Sequence, residues 1–178
     1  GLYRHYKAVA EAVDLPLVLY NIPGRTGVNM LPATVARLSV IKNVVGVKEG
    51  SGSVQQASDI VQTCGERLTL LAGDDALTLP MMAIGGKGVI TVTANIVPTD
   101  MANLVKAFAT GKIEEAQKIH FKLSPLFAAL FYETNPIPVK EALGMMGKID
   151  PELRLPLCAM ATETREKLAS VLKDMGLI

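Results

Sequence analysis

The stretch Val44-Val45-Gly46-Val47-Lys48-Glu49-Gly50-Ser51-Gly52 passes directly from an apolar run into a polar loop rich in glycine. A short apolar run that a turn-forming segment ends is typical of a buried strand in an α/β fold. The same order recurs at three more places: residues 15–20 before Asn21-Ile22-Pro23-Gly24, residues 68–72 before Gly73-Asp74-Asp75, and residues 88–91 before Val92-Thr93-Ala94-Asn95. The sequence therefore predicts four short strands, each followed by a polar loop.

Helix-like segments lie between the predicted strands. Apolar residues recur at three- and four-residue spacing in residues 31–40, 54–64 and 77–84, and Ser53 is a suitable N-cap for the second segment. A repeated unit of strand, loop and helix implies parallel strands joined by right-handed crossovers. This pattern fits an open doubly wound sheet and part of a closed barrel equally well.

The strands stop after Asn95, and the rest of the chain is predicted to be helical. Amphipathic segments cover residues 98–109, 113–132, 136–146 and 161–175. We therefore divide the chain into a strand-containing part, residues 1–97, and a helical part, residues 98–178. A complete (β/α)8 barrel takes about 250 residues, so we expect this chain to supply only part of one.

Composition argues against several classes of protein. The chain is 49% hydrophobic and 4% aromatic, with a formal net charge of +1. Because no basic run is interleaved with aromatic residues, we expect no nucleic-acid partner. Cys64 and Cys158 lack the spacing of a zinc site or a disulfide framework. No apolar run reaches the ~20 residues of a membrane span, so we expect a cytoplasmic protein without a membrane partner.

Lys48 is the first candidate for catalysis, because the carboxyl ends of parallel strands meet at the rim where active sites form. It directly follows an apolar run, and a low-dielectric environment disfavours the charged ammonium form. A neutral amine can attack a carbonyl group to form a Schiff base, which then withdraws electrons from a neighbouring carbanion. On position alone, a lysine that simply reaches solvent is the commoner case.

Tyr20 and Arg25 are further candidates near the end of the first predicted strand. The Tyr20 phenol could transfer protons while an imine forms and breaks, although an aromatic at a strand end often serves only packing. Arg25, in the loop Pro23-Gly24-Arg25-Thr26-Gly27, could hold a substrate carboxylate through two parallel hydrogen bonds. A lone loop arginine is more often a solvated surface charge.

Two other motifs give no site. Gly85-Gly86-Lys87-Gly88 precedes a predicted strand, whereas a phosphate loop joins a strand to a helix with different spacing. Asp74 and Asp75 have no metal-binding neighbours, because His5 and His120 fall in predicted helices. We therefore expect neither a nucleotide site nor a catalytic metal.

Five motifs in this order resemble the dihydrodipicolinate synthase family, within the superfamily that includes N-acetylneuraminate lyase. They are Tyr20-Asn21-Ile22-Pro23-Gly24-Arg25-Thr26-Gly27, Val47-Lys48-Glu49-Gly50-Ser51-Gly52, Gly73-Asp74-Asp75, Gly88-Val89-Ile90-Thr91-Val92-Thr93-Ala94-Asn95 and Asn135-Pro136-Ile137-Pro138-Val139-Lys140. The resemblance implies the C-terminal half of a TIM (β/α)8 barrel, with four parallel βα units in residues 1–97. Residues 98–178 would then hold the last barrel helix and a C-terminal helical extension.

The resemblance also implies a function. Members of the family are class I aldolase-like lyases without a cofactor, commonly homotetramers, which condense pyruvate with aspartate semialdehyde to 4-hydroxy-tetrahydrodipicolinate for diaminopimelate and lysine biosynthesis. By resemblance, Lys48 forms the imine with pyruvate, Tyr20 serves the proton relay, and Arg25 binds the carboxylate of aspartate semialdehyde. Gly73 and Ile90 would contribute backbone groups to the pyruvate pocket.

Two alternatives remain open at this point. Sister aldolases that act on keto-deoxy sugar acids, sialic acid or hydroxy-oxoglutarate share the tyrosine and lysine motifs, but they typically lack arginine at the position of Arg25. The chain could also be a non-catalytic half-barrel module with a vestigial site. A half barrel exposes strand edges and an apolar sheet face, so we expect these 178 residues alone to be inactive.

Overall fold

The structure, a computed structural model, describes residues 1–178 without a gap. It contains three strands and nine α-helices. In chain order these are α1 (Leu2–Ala12), β1 (Leu17–Asn21), α2 (Pro23–Thr26), α3 (Pro32–Leu38), β2 (Val44–Glu49), α4 (Val54–Cys64), β3 (Thr69–Ala72), α5 (Thr78–Ala83), α6 (Pro98–Ala109), α7 (Ile113–Ala129), α8 (Ile137–Met145) and α9 (Thr162–Asp174). The chain divides into two compact units, Gly1–Ile90 and Thr91–Ile178.

The sheet of the first unit is parallel, with the strand order β1-β2-β3. Helices connect its strands, and α4 begins as predicted, since the Ser53 hydroxyl accepts a hydrogen bond from the Gln56 N–H at 3.1 Å. At the opposite, amino-terminal end of β2, the Asn43 side-chain amide donates to three backbone carbonyls, one in the last turns of α1 and two between α1 and β1, at 3.0 to 3.2 Å. The predicted α/β fold with a parallel sheet is therefore confirmed.

The predicted fourth strand, residues 88–91, is not formed as a strand. Its pairing is limited to one parallel bridge between Ala72 and Val89, flanked by hydrogen bonds from Ala72 N to Gly88 O and from Ile90 N to Ala72 O. The ladder stops there because the chain turns into a 3-10 helix at Thr93–Asn95. The segment thus continues the sheet by a single residue pair.

The core of the first unit lies on one face of the sheet, against α3, α4 and α5. Its fully buried members include Leu19, Val35, Leu38, Val47, Ala57, Ile60, Leu70, Ala72 and Met81. Successive side chains of a strand point to opposite faces, so Val18 and Tyr20 point away from this core, and Val18 is 46% exposed. One face of the sheet is therefore covered by helices while the other face is largely open.

The second unit is helical, as predicted. Its core is built from α7, α8 and α9 and includes Leu126, Leu130, Ala142, Leu168 and Leu172. Helix α6 begins and ends at the predicted residues, whereas α7 ends at Ala129 instead of residue 132. The last turn tightens there, because Phe131 N bonds to Ala128 O and Tyr132 N bonds to Ala129 O. None of the helices has the length and apolar character needed to cross a membrane.

Candidate active site

Lys48 and Tyr20 lie side by side on neighbouring strands. They are register partners in the pairing of β1 with β2, so their side chains point to the same face of the sheet. The Lys48 Nζ atom lies 4.0 Å from the centroid of the Tyr20 ring. Such a contact contributes roughly 0.5–1 kcal/mol when the nitrogen is charged and exposed. The structure therefore brings together the two residues that the sequence predicted to be catalytic.

The apolar enclosure predicted for Lys48 is incomplete within this chain. Lys48 is half-buried, and Tyr20 is 39% exposed on the open face of the sheet. Val18 and Leu71 point to this same face. Both catalytic candidates lie within their strands, one residue before the end, instead of at or after the end as predicted.

Arg25 lies on α2, directly after β1. The segment predicted as a loop forms one helical turn, because Pro23 favours the first helical position and Gly27 ends the turn with a left-handed φ of 70°. The Thr26 hydroxyl fixes this turn through contacts with Ile22 O and Val28 O at 3.1 and 3.0 Å. Arg25 is exposed at the same end of the sheet as Tyr20, where a guanidinium could meet a ligand.

Gly73 and Ile90 follow the neighbouring extended segments. The Gly73 N–H donates to Glu49 O at 2.7 Å, and the Ile90 N–H donates to Ala72 O at 3.0 Å. Because both N–H groups are used inside the sheet, a ligand would have to approach the carbonyl oxygens or the side chain of Ile90. The side chain of Ile90 is 43% exposed.

Gly73 also permits the close approach of β3 to β2. A Cβ atom at this position would lie 2.8 Å from Glu49 O and 2.9 Å from Gly50 Cα, closer than real Cβ contacts occur. We expect Gly73→Ala to lower the free energy of unfolding by about 1–3 kcal/mol, measured by urea denaturation. Gly24→Ala is the control, because nothing lies within 4 Å of a Cβ there. Equal stability of the two variants would contradict the close approach.

A buried polar cluster that was not predicted from the sequence lies behind the candidate site. Glu49 is 0% exposed and Asn21 is 2% exposed. The Asn21 Nδ2 group donates to both carboxylate oxygens of Glu49, at 3.2 and 3.0 Å. A signal was present in the sequence. Side chains alternate along a strand, so Asn21 points to the same, core-facing side as Leu19, and Glu49 points to the same side as Val47. Two polar residues on that side of their strands predict two buried polar side chains, although not their bond to each other.

Other parts of the chain offer weaker candidates. No group of three or more His, Cys, Asp or Glu side chains is arranged to hold a metal ion. A cavity of about 660 Å³ belongs to the second unit and is lined by the start of α7, including Lys112, Glu115 and Lys118. Lys112 pairs with Glu115 at 3.3 Å, and this exposed arrangement contains no nucleophile next to a base. Lys48 with Tyr20 is therefore the best-formed chemical site.

The chain is similar to known proteins along its whole length. The chain is 57% identical to the 4-hydroxy-tetrahydrodipicolinate synthases of Thermodesulfovibrio yellowstonii and Geotalea daltonii over 178 residues, and it spans 61% of the length of each. It is similar to the crystal structure of dihydrodipicolinate synthase from Thermotoga maritima, with a TM-score of 0.97, 46% identity, and coverage of 100% of this chain and 62% of that one.

The same enzyme from Acinetobacter baumannii, in a crystal structure of its complex with pyruvate, gives a TM-score of 0.97 at 44% identity, again over 100% of this chain and 61% of that one. The sequence model of the Dihydrodipicolinate synthetase family matches residues 1–175. With that match and relatives above 50% identity along its whole length, the chain belongs to the Dihydrodipicolinate synthetase family.

Proposed function

We propose that this chain carries the Schiff-base centre of a 4-hydroxy-tetrahydrodipicolinate synthase, which condenses pyruvate with aspartate semialdehyde. The observation that carries the proposal is the position of Lys48 Nζ, 4.0 Å from the Tyr20 ring centroid, on adjacent strands near their carboxyl ends. An amine beside a phenol at that rim suits imine chemistry. The relative from Acinetobacter baumannii, solved with pyruvate, supports pyruvate as the first substrate.

The proposed reaction begins when the Lys48 amine attacks the keto carbon of pyruvate. A C–N bond forms and the carbonyl oxygen leaves as water, with the Tyr20 phenol transferring the protons. The resulting imine withdraws electrons, so the adjacent methyl group loses a proton and becomes an enamine carbon. That carbon attacks the aldehyde of the second substrate to form a C–C bond, while the Arg25 guanidinium holds the distant carboxylate.

Arg25 is the residue that distinguishes the proposed condensation from the reactions of sister aldolases. We expect Arg25→Ala to raise the KM for aspartate semialdehyde by about 10- to 100-fold, since a charge-assisted hydrogen bond contributes ~1.5–3 kcal/mol, and to leave the KM for pyruvate nearly unchanged. The KM of Arg25→Lys for aspartate semialdehyde should lie between those of the unmodified protein and Arg25→Ala. An ammonium keeps the positive charge, but it cannot form the two parallel hydrogen bonds of a guanidinium. Steady-state kinetics with each substrate varied in turn would measure both constants.

Arg37→Ala is the matched control for Arg25. Arg37 stacks over the Tyr3 ring at 4.5 Å on α3, so its loss should leave both KM values unchanged. A rise in the pyruvate KM alone for Arg25→Ala would contradict the assigned role. Retro-aldol cleavage of a sugar acid at a higher kcat/KM than the condensation would favour a sister aldolase instead.

We further propose that the parallel sheet is part of a (β/α)8 barrel, the barrel of a cytoplasmic homotetramer. The TM-score of 0.97 against a synthase of which this chain covers 62% supports this assignment. The open face of the sheet supports it too, because Val18, Tyr20 and Lys48 point where the interior of a closed barrel would be. Gly73, Ile90 and the residues of the rim would then line the pyruvate pocket, and the 178 residues alone should be inactive.

A further inference from the structure

We propose that Glu49 is a positioning residue. Through its bond to Asn21, it holds Lys48 and Tyr20 in the relative positions that the reaction needs. The inference rests on the proposed function, because it gives Glu49 a purpose only if Lys48 forms an imine. Glu49 itself faces the core and does not touch the substrate. Its effect would reach the reaction through the two strands that carry the catalytic pair.

The Glu49 carboxylate is buried among neutral donors. It accepts hydrogen bonds from the Ser51 N–H at 2.7 Å and from the side-chain amides of Asn21, at 3.0 and 3.2 Å, and Gln56, at 3.2 Å. It forms no ion pair with a lysine or arginine. Burying a carboxylate is costly even when it is hydrogen-bonded, and an apolar side chain of similar size would fill the space at lower cost. A role beyond packing would account for its presence.

The location of this cluster relates it to the reaction. Asn21 and Glu49 are register partners, as are Tyr20 and Lys48 immediately before them. Since alternate side chains point to opposite faces, the Asn21–Glu49 bond crosses between the two strands directly behind the catalytic pair. It therefore fixes the spacing of β1 and β2 at the point where Lys48 Nζ must meet the Tyr20 phenol.

The same cluster anchors the segment that carries Arg25. The Asn21 Oδ1 atom accepts the Met30 N–H at 2.8 Å, and the Asn21 Nδ2 group donates to Asn29 Oδ1 at 2.8 Å. Asn29 and Gln56 exchange two further amide bonds, at 2.9 and 3.0 Å. Through these bonds, the residues just before α3 are held to α4 by Gln56 and, by way of Asn21, to Glu49. One buried cluster thus sets the positions of the lysine, the tyrosine and the arginine segment.

The test is Glu49→Gln in the natural polypeptide, with any residues that flank the 178 described. Glutamine has nearly the shape of glutamate, but its amide nitrogen would face hydrogen-bond donors that now meet a carboxylate oxygen and require an acceptor. A 1 Å misplacement of reacting groups costs about 10²-fold in rate, so we expect imine formation with pyruvate, followed by borohydride quenching and mass spectrometry, to slow by about 10- to 100-fold. The value of kcat should fall more than KM changes.

A reversed pair provides a rescue that a purely structural role does not predict. Asn21→Asp together with Glu49→Gln exchanges acceptor and donor across the same bond, and it should restore the rate of imine formation at least ~10-fold relative to Glu49→Gln alone, the size of coupling seen between contacting groups. Asn43→Ala is the control. It removes three bonds at the opposite end of β2, so it should lower the Tm but leave the rate of imine formation unchanged.

Each outcome decides the inference. A lower Tm with a wild-type rate of imine formation in Glu49→Gln would show that the cluster only stabilises the fold and would overturn the proposal. If Glu49→Gln does not fold, Gln56→Met removes one donor to the carboxylate together with the two amide bonds to Asn29. It should give a smaller loss of rate, whereas an unchanged rate would overturn the inference. Absence of imine trapping in the unmodified protein would overturn the proposed function instead.

Discussion

Lys48→Arg should lower kcat by about 10⁴-fold or more, the loss seen when an enzyme loses its covalent nucleophile. Arginine keeps the positive charge and can still stack over the Tyr20 ring, which Lys48 approaches to 4.0 Å. It cannot attack a carbonyl, because the guanidinium stays protonated at any pH at which the protein is folded. The variant therefore removes nucleophilicity while it preserves much of the local structure. A coupled assay of the condensation in the natural polypeptide would measure the loss.

Lys42→Arg is the matched control for this loss. Lys42 is an exposed lysine just before the amino-terminal end of β2, so it lies at the opposite end of the strand that carries Lys48. We expect its replacement to leave kcat and both KM values unchanged. Residual activity of Lys48→Arg near that of Lys42→Arg would contradict covalent catalysis at position 48.

Tyr20→Phe should lower kcat by about 10²- to 10³-fold, within the range that general acid–base groups contribute. Phenylalanine keeps the ring beneath Lys48 Nζ, so the contact between nitrogen and ring is retained and only the hydroxyl is lost. Because the loss concerns proton transfer, the rate of imine formation should fall while the KM for pyruvate changes little. Rapid-quench trapping of the imine, with kcat measured in parallel, would separate the two effects.

Tyr3→Phe is the control for the loss of a hydroxyl. The Tyr3 ring carries the Arg37 guanidinium at 4.5 Å, so this variant also retains a stacked cation and removes only an oxygen. We expect it to trap pyruvate at the wild-type rate. If Tyr20→Phe and Tyr3→Phe behave alike, the Tyr20 hydroxyl takes no part in the reaction.

The elements that could be predicted from the sequence are those in which local signals agree. Helix α4 begins after the Ser53 N-cap, as predicted from capping. Helix α6 begins at the predicted residue, Pro98, and proline favours a first helical turn. That Tyr20 and Lys48 lie at the same edge of the sheet followed from the rule that polar residues at the ends of parallel strands meet at one rim. That rule needs no knowledge of the register, so it holds even when the strand ends are displaced by one or two residues.

The parts that escaped prediction depend on contacts between segments distant in the chain. Residues 88–91 have the composition of a strand, but a strand forms only where a partner extends the ladder, and here the partner is Ala72 alone. Burial of Lys48 was inferred from its own strand, whereas the exposure of a side chain is decided by what covers the opposite face of the sheet. The bond between Asn21 and Glu49 needed the register of β1 against β2, which no local pattern provides.

Borohydride reduction in the presence of pyruvate, followed by peptide mapping of the natural polypeptide, tests whether Lys48 forms the imine. We predict a single adduct, with the mass of one pyruvate less the oxygen lost in imine formation and reduction, on the peptide that contains Lys48, and none on the peptides that contain Lys42 or Lys87. No adduct with pyruvate, or an adduct on another lysine while Lys48 stays unmodified, would contradict the assignment of Lys48 as the residue that forms the imine.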